Sequence, residues 1–227
     1  LKKFNMKYFK IPSPEITNYP LLKAIGKLNK KIILSTGMSK INEIKSALKV
    51  LIKSGTKKNK VCILHSNSEY PTPFNDANLN AIITLKKKFE LKTGYSDHTM
   101  GTEAAIAAVA LGAEIIEKHL TLDCNLSGPD HKTSIEPEEF KKMVESIRNI
   151  EIGLGTGKKT ITKSEKKNLS IVRKSIVAKT KIKKGEKFSL KNLTTKRPGN
   201  GISPMKINLL LRKKSKKNFK KDQLISI

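Results

Sequence analysis

The sequence predicts an α/β protein in which an incomplete (β/α)8 TIM barrel, with about five of its eight strands, precedes a small β-rich domain. Three observations lead to this prediction. Short apolar runs alternate with segments of helical periodicity, which is the pattern of a parallel sheet. Polar residues follow the ends of several predicted strands, as they do at the functional face of a barrel. After a Gly-, Lys- and Thr-rich stretch, the pattern changes to short strands and turns.

The five apolar runs predict parallel strands, and the segments between them predict helices. The predicted strands cover residues 8–11, 31–35, 61–65, 91–96 and 114–119. The predicted helices cover residues 21–28, 41–51, 79–89, 102–111 and 140–150. Ser39 is the expected N-cap of the second helix, because a serine hydroxyl can accept a hydrogen bond from the first helical turn.

Five strands can form an open doubly wound sheet or part of a barrel, which needs eight strands over about 250 residues. The polar residues at the strand ends favour the barrel, because different strands of a barrel contribute to its chemistry. No glycine-rich dinucleotide-binding motif follows any predicted strand. We therefore predict a barrel with strands missing.

The chain is expected to divide into three segments. Residues 1–150 form the barrel part, residues 151–167 a linker, and residues 168–227 the β-rich domain. Residues 153–158 resemble a phosphate-binding loop, but they lack its spacing and follow no strand. Strands are expected within residues 170–179, 185–188, 190–194 and 222–227. A domain of this size is marginal alone, so we expect it to pack on another surface.

The chain is strongly basic, with 47 Lys and Arg against 19 Asp and Glu in 227 residues. Only four of the basic residues are arginine, and tryptophan is absent. Proteins that read nucleic acids favour the bidentate arginine fork. We therefore interpret the lysines as a solvated surface and expect no nucleic-acid partner. A basic polyanion-binding protein on a degenerate barrel is the alternative, since such charge attracts any polyanion.

Other sequence features predict a cytoplasmic protein without a membrane partner. No apolar run is long enough to cross a membrane, and no signal peptide is visible. The two cysteines, Cys62 and Cys124, lack metal-type spacing. So few thiols in a chain of this length indicate a reducing compartment rather than a disulfide framework.

Two of the four histidines follow neighbouring predicted strands. His98 lies just beyond the fourth strand, and His119 closes the fifth. A single histidine is most often a hydrogen-bonded core residue. Adjacent parallel strands, however, bring their carboxyl ends together, so these two imidazoles can share a divalent metal. Two protein ligands leave coordination positions open, as a Lewis-acid role requires.

Hydroxyls and one ammonium group also lie at neighbouring strand ends, in a ring that suits a phosphate. They belong to Lys10, Ser35, Ser68 and Ser96. Exposed loop polarity is the alternative interpretation of this ring. Asp130 could hold sugar hydroxyls or simply form a turn. Arg197, in a chain dominated by lysine, suggests that a fork geometry is needed there.

Six groups of motifs occur in order along the chain. They are Phe9-Lys-Ile-x-Ser13-x-Glu15 with Asn18-Tyr-Pro20, Ile33-Leu-Ser-Thr-Gly-Met38, Leu64-His65 with Tyr70-Pro-Thr-Pro73, Gly94-x-Ser-Asp-His-Thr99, Glu117-Lys-His119 with Gly128-Pro-Asp-His131, and Lys196-Arg-Pro-Gly-Asn-Gly-Ile-Ser-Pro204. Together they closely resemble the N-acetylneuraminate synthase family, which includes the N,N'-diacetyllegionaminate synthases. The resemblance covers essentially the whole chain.

The resemblance implies a (β/α)8 barrel joined to a C-terminal antifreeze-like (SAF) domain, in a domain-swapped homodimer. The implied enzyme is a transferase that condenses phosphoenolpyruvate with N-acetylmannosamine or 2,4-diacetamido-2,4,6-trideoxymannose. Its products are N-acetylneuraminate or N,N'-diacetyllegionaminate and phosphate. Another metal-dependent barrel aldolase remains an alternative, and dependence on phosphoenolpyruvate with phosphate release distinguishes the two.

The resemblance also implies roles for individual residues. The metal ligands, for Mn²⁺ or Mg²⁺, match His98 and His119, which with Lys10 are the catalytic candidates. The phosphoenolpyruvate-binding positions match Lys10, Ser13, Ser35, Ser68 and Ser96. The sugar-binding positions match Glu15, Tyr70, Asp130 and Arg197, the last of which reaches into the partner subunit's barrel.

The chain departs from the family pattern in three places. The family barrel begins well before the position of Lys10, so we expect this chain to be a partial reading frame that is inactive alone. Residues 66–68 read Ser-Asn-Ser, where the family often has Cys-Thr-Asn or Cys-Thr-Ser. Prolines at positions 12 and 14 are a further difference. The latter two departures affect the details of phosphate binding.

Overall fold

The computed structural model describes residues 4–227. The chain divides into two compact units, and the boundary follows Gly157. Each unit has its own cluster of buried apolar side chains. We describe the two units separately.

The first unit contains five parallel strands that lie side by side in sequence order. The strands are β1 (Tyr8–Ile11), β2 (Lys31–Ser35), β3 (Val61–Ser66), β4 (Lys92–Asp97) and β5 (Ile116–Lys118). Within the described residues the sheet does not close, and β1 and β5 are its edges. The predicted fold class, an incomplete barrel of five strands, is confirmed.

Five α-helices accompany this sheet. They are α1 (Tyr19–Gly26), α2 (Ile41–Lys53), α3 (Asn80–Phe89), α4 (Glu103–Ala110) and α5 (Pro137–Leu154). In α2, Ile44, Ala47, Leu48 and Leu51 are buried at helical spacing and form one apolar stripe. No helix in residues 4–227 is both long enough and apolar enough to cross a membrane.

The start of α2 differs from its prediction. Lys40, not Ser39, is the N-cap, and its backbone N–H donates to the Glu43 carboxylate over 2.8 Å. The Ser39 hydroxyl donates instead to the Gly37 carbonyl over 3.1 Å. The Ser39 hydroxyl is therefore bonded within the preceding turn, and the prediction that it caps α2 is wrong.

The strand register separates apolar from polar side chains. Ile11, Leu34 and Ile63 are register partners on one face and pack in a single cluster with Leu22 of α1 and Leu51 of α2. Successive side chains of a strand point to opposite faces. The opposite face, which we call the open face, therefore carries a row of polar side chains from all five strands. These are Lys10, Ser35, Ser66, Ser96 and Glu117.

The second unit is built on an antiparallel pair, β6 (Ser175–Ala178) and β7 (Leu193–Lys196), with the short helices α6 (Lys166–Val172) and α7 (Ile207–Leu210). Its core has eight buried apolar residues. They are Ile176, Ala178, Ile182, Phe188, Leu193, Leu210, Phe219 and Ile225. A small β-rich unit, as predicted, therefore follows the barrel part.

Several boundaries in the C-terminal half differ from the predictions. Residues 170–172 belong to α6 rather than to a strand, and Ile171 and Val172 are exposed there. Their β-branched side chains favour a strand locally, but pairing begins only at Ser175. Residues 222–227 contribute one isolated bridge, between Val177 and Leu224, instead of a strand. Helix α5 continues to Leu154, inside the segment predicted as a linker.

Candidate functional site

A carboxylate joins opposite edges of the sheet on the open face. Glu117 of β5 accepts hydrogen bonds at Oε1 from the Ser96 hydroxyl (2.6 Å) and from the Lys10 ammonium (2.9 Å). Lys10 lies on β1, so the sheet curves enough to bring its first and last strands within side-chain reach. Burial opposes ionisation of Glu117, but the hydrogen bonds from Lys10 and Ser96 outweigh it and lower the pKa of this carboxyl. We call Lys10, Ser96 and Glu117 the carboxylate bridge.

The hydrogen bonds of His98 determine which nitrogen faces the site. Its Nδ1 lies 2.5 Å from the Asn67 carbonyl oxygen, and its Nε2 lies 2.9 Å from the Tyr70 hydroxyl. A carbonyl can only accept, so Nδ1 carries the proton, and the Nε2 lone pair accepts from the Tyr70 hydroxyl. Burial lowers the pKa of His98, although the hydrogen bond to Asn67 acts in the opposite direction. The neutral ring therefore presents an acceptor nitrogen.

Three aromatic rings meet beside this nitrogen. The Tyr70 ring stacks on His98 with centroids 4.0 Å apart, and the His98 and His119 rings contact edge to face at 5.5 Å. The Tyr70 and His119 centroids are 5.1 Å apart. We call Tyr70, His98 and His119 the ring cluster. The Ser96 hydroxyl lies 3.3 Å from His98 Nε2 and connects the ring cluster to the carboxylate bridge.

The donor set of the ring cluster fits a divalent cation held by two histidines. The structure brings His98 and His119 together, and a carbonyl holds the proton of His98 on Nδ1, the arrangement that metal-binding histidines commonly have. Residues 4–227 contain no group of three or more His, Cys, Asp or Glu side chains arranged to hold a metal ion. Substrate or water oxygens would therefore complete the coordination.

A second polar group lies at the ends of β2 and β3. The Gly37 N–H donates to the Ser13 hydroxyl over 2.9 Å, and the Ser13 and Ser66 hydroxyls are 3.2 Å apart. A Cβ atom at Gly37 would meet the hydroxyls of Ser68, Ser13 and Ser66. Only glycine leaves this space open. We call Gly37 and these three serines the serine cradle.

Ser35 lies on the same open face. Its hydroxyl is buried and has no hydrogen-bond partner among the described residues. A buried hydroxyl without a partner costs free energy, so its presence calls for an explanation. A ligand oxygen is one group that would satisfy it.

The opposite face of β4 and β5 carries a buried ion pair. The Lys118 ammonium lies 2.9 Å from Asp97 Oδ2, and the two side chains are 1% and 0% exposed. Lys118 also donates to the Thr99 carbonyl over 2.6 Å. The other Asp97 oxygen accepts from the Thr99 N–H and hydroxyl. The carboxylate and the ammonium are thus both held by protein groups.

The predicted sugar-binding residues are more dispersed. Burial, together with the charges of Asp130 and Glu117, raises the pKa of Tyr70. Glu15 accepts a hydrogen bond from the Asn18 side chain at the start of α1. Arg197 is in the second unit, where its Nε donates to the Val172 carbonyl over 3.0 Å. Of these four residues the structure places Tyr70 in the ring cluster, and the sugar-binding roles of all four stay predictions.

Three contributors to the site were not assigned a role from sequence. Glu117 precedes His119 by two residues, and Ser66 precedes Ser68 by two, so alternation along a strand could have indicated both. The third is the backbone carbonyl of Asn67, which orients His98. A backbone acceptor leaves no signal in a sequence.

Two family models match the chain. The NeuB family matches residues 1–159, and the SAF domain matches residues 173–227. Together they span the two units found in the structure.

Individual relatives support the same relationship. N,N'-diacetyllegionaminic acid synthase of Campylobacter jejuni is 58% identical over 225 residues, covering 99% of this chain and 67% of the relative. The crystal structure of N-acetylneuraminic acid synthetase from Leptospira borgpetersenii, in complex with citrate, is 42% identical, with a TM-score of 0.68. That match covers 74% of this chain and 58% of the other.

A third match covers this whole chain. Spore coat polysaccharide biosynthesis protein SpsE of Bacillus subtilis is 35% identical, with a TM-score of 0.65, and the match covers 100% of this chain and 68% of the other. This chain therefore spans about two thirds of the length of the Campylobacter jejuni and Bacillus subtilis relatives.

Proposed function

This chain belongs to the NeuB family, and from that membership we propose that it forms part of a nonulosonic acid synthase. The reaction joins C3 of phosphoenolpyruvate to the aldehyde carbon of an open-chain 2-acetamido-mannose-type sugar. Water adds at C2 of the former phosphoenolpyruvate, and phosphate leaves. The identity of 58% to a diacetyllegionaminic acid synthase favours 2,4-diacetamido-2,4,6-trideoxymannose over N-acetylmannosamine as the acceptor.

The observation that carries this proposal is the convergence of polar groups on one face of the sheet. The carboxylate bridge links β1, β4 and β5, and its Ser96 also contacts the ring cluster. The serine cradle lies at the ends of the neighbouring strands β2 and β3. Two substrates held on such a face are brought into register, which accounts for much of the acceleration of a two-substrate reaction.

We assign the phosphate of phosphoenolpyruvate to the serine cradle. Ser13 accepts a hydrogen bond from Gly37 and shares one with Ser66, so one of these two hydroxyl protons is left to donate to a phosphate oxygen. The hydroxyls of Ser66 and Ser68 border the same space. Lys10 supplies the positive charge that a multiply charged substrate requires.

We assign a divalent cation, Mn²⁺ or Mg²⁺, to His98 and His119. When bound, such a cation supplies Lewis-acid polarisation of the sugar aldehyde. The contribution of the chain is to keep His98 neutral with its Nε2 lone pair toward the site. Tyr70, which covers both imidazoles, would border the sugar together with Asp130, and Glu15 and Arg197 would complete its contacts.

The assembly that we propose is a domain-swapped homodimer in the cytoplasm, in which Arg197 acts in the partner subunit's site. Mixing His98→Ala and Arg197→Ala variants of a chain completed to eight barrel strands tests this arrangement. One intact site forms in a mixed dimer only if Arg197 acts across the interface. Activity in the mixture above that of either variant is expected, and equal inactivity would contradict the swap.

The proposed reaction is tested with a chain completed to eight barrel strands, given phosphoenolpyruvate, Mn²⁺ and each sugar separately. The expected products are equimolar phosphate and a nonulosonic acid identified by mass spectrometry, and the five-stranded chain alone is expected to form neither. Phosphate release without the sugar acid would contradict the proposal. Because the chain spans two thirds of its relatives, binding is measured in parallel by ³¹P NMR. Broadening of the phosphoenolpyruvate signal is expected, and it should disappear in Gly37→Ala.

A further inference from the structure

The buried ion pair lies at the last register position shared by β4 and β5. Asp97 is the register partner of Lys118, and no later pair of these strands is bonded in the described sheet. The next residue of each chain segment is a histidine of the ring cluster, His98 after Asp97 and His119 after Lys118. Whatever holds this last pair therefore determines how the two imidazoles leave the sheet.

The contacts of the pair enclose His98 from both sides. Asp97 Oδ1 accepts from the Thr99 N–H over 2.9 Å and from its hydroxyl over 2.8 Å, which closes a tight turn with His98 at its centre. Lys118 donates to Asp97 Oδ2 and also to the Thr99 carbonyl, the residues before and after His98. A single ammonium group on β5 thus holds both ends of the turn that carries His98.

A buried ion pair is weak evidence for stability, because the cost of removing two charges from water offsets their attraction. Apolar residues of similar volume often replace such pairs without loss of stability. The Asp97–Lys118 pair therefore needs another explanation than stability. Its position directly before both histidines in the chain provides one.

We propose that Asp97, Thr99 and Lys118, the aspartate clamp, are positioning residues that set the relative placement of His98 and His119. The metal-binding consequence rests on the proposed function, whereas the placement of the rings does not. Neither Asp97 nor Lys118 touches the substrates, since both lie on the face opposite the carboxylate bridge. Their effect on chemistry is through the imidazoles.

The test is the double variant Asp97→Asn with Lys118→Met. The asparagine oxygen can still accept from Thr99, and the methionine fills the volume of the lysine stem, so the turn remains while the link between strands is lost. Nuclear Overhauser contacts among the rings of Tyr70, His98 and His119 are measured without metal. Titration with Mn²⁺ alone then gives the affinity of the site.

We expect the double variant to unfold within a few degrees of the parent, to lose the His98–His119 ring contacts, and to bind Mn²⁺ about 10–100-fold more weakly. A matched control is Lys92→Met with Glu114→Gln, which removes an ion pair of 2.7 Å at the other end of the same two strands. This control should keep the ring contacts and the parental Mn²⁺ affinity. A purely structural clamp would leave the rings of the double variant in place.

Parental ring contacts in a folded double variant would overturn the proposal. If the parent itself binds no Mn²⁺, the metal assignment fails, and the ring contacts still decide the role of the clamp. If the double variant does not fold, Thr99→Val replaces it, because this change removes only the hydroxyl donated to Asp97. A shifted His98 ring signal in Thr99→Val supports the clamp, and an unchanged one overturns it.

Discussion

Two adjacent register pairs of β4 and β5 hold charged groups in opposite ways. On the face opposite the open face, Asp97 and Lys118 are fully buried, and protein groups hold both charges. On the open face, Ser96 pairs with Glu117, which binds Lys10 with side-chain exposures of 38% and 33%. The buried Asp97–Lys118 pair orders the structure around it, whereas Ser96 and Glu117 on the open face keep donors and acceptors that a ligand can use.

The largest effect should come from replacing only one partner of the buried Asp97–Lys118 pair. Lys118→Met leaves the Asp97 charge buried without its partner, which typically costs about 3–5 kcal/mol in the free energy of unfolding. Urea denaturation measures this loss. The double variant Asp97→Asn with Lys118→Met should recover most of it. Equal destabilisation in the single and double variants would show that lost packing, not the uncompensated charge, is responsible.

A substitution in the serine cradle should change the affinity for phosphoenolpyruvate rather than the stability of the protein. In Gly37→Ala the new methyl group forces the surrounding hydroxyls to rotate away. We expect phosphoenolpyruvate affinity to fall about tenfold or more, since a hydrogen bond to a charged group contributes roughly 1.5–3 kcal/mol. Calorimetric titration measures it. Gly153→Ala, where a methyl group meets nothing within 4 Å, is the control and should leave the affinity unchanged.

The hydrogen bond between Lys10 and Glu117 on the open face should be visible in the titration of Glu117. Lys10→Met removes a hydrogen bond and a positive charge, so the pKa of Glu117 should rise from its lowered value toward the ordinary one. The free energy of unfolding should change by less than about 1 kcal/mol, because the pair is partly exposed. Carboxyl ¹³C NMR measures the pKa. An unchanged pKa would mean that Ser96 alone keeps Glu117 ionised.

The smallest expected effect is the contribution of His65 to the pH dependence of the free energy of unfolding. This imidazole can be compared with that of His98. Like His98, it bonds to a backbone carbonyl, here that of Ala77 over 2.8 Å, and burial lowers its pKa from 6.5. As the pH falls, the His65 imidazole is therefore protonated in the unfolded chain at a higher pH than in the folded chain. The free energy of unfolding should then decrease as the pH falls below about 6.5. Urea denaturation across this range measures the slope. His65→Gln, whose side-chain Nε2 can reach the position of the imidazole Nε2 and still donate to the Ala77 carbonyl, should reduce this slope. An unchanged slope would show that another group causes it.

Much of the fold of the first unit could be predicted from local pattern. The limits of β1 and β2 agree with the predicted strands, because apolar side chains recur there between polar and turn-forming residues. The resemblance to N-acetylneuraminate synthases is confirmed by the family match over residues 1–159. The errors fall where competing local contacts decide, as at Ser39, which bonds to Gly37 instead of capping α2.

The sequence by itself determined the class of fold and the order of the strands, because these follow from periodicity, and the resemblance of its short motifs indicated the family. It also indicated His98 and His119, since both follow strand ends. Only the tertiary structure decided that Glu117 joins Lys10 to Ser96, that Gly37 is surrounded by hydroxyls, and that Lys118 holds the turn around His98. Those contacts depend on strand register and sheet curvature, which packing between distant segments sets.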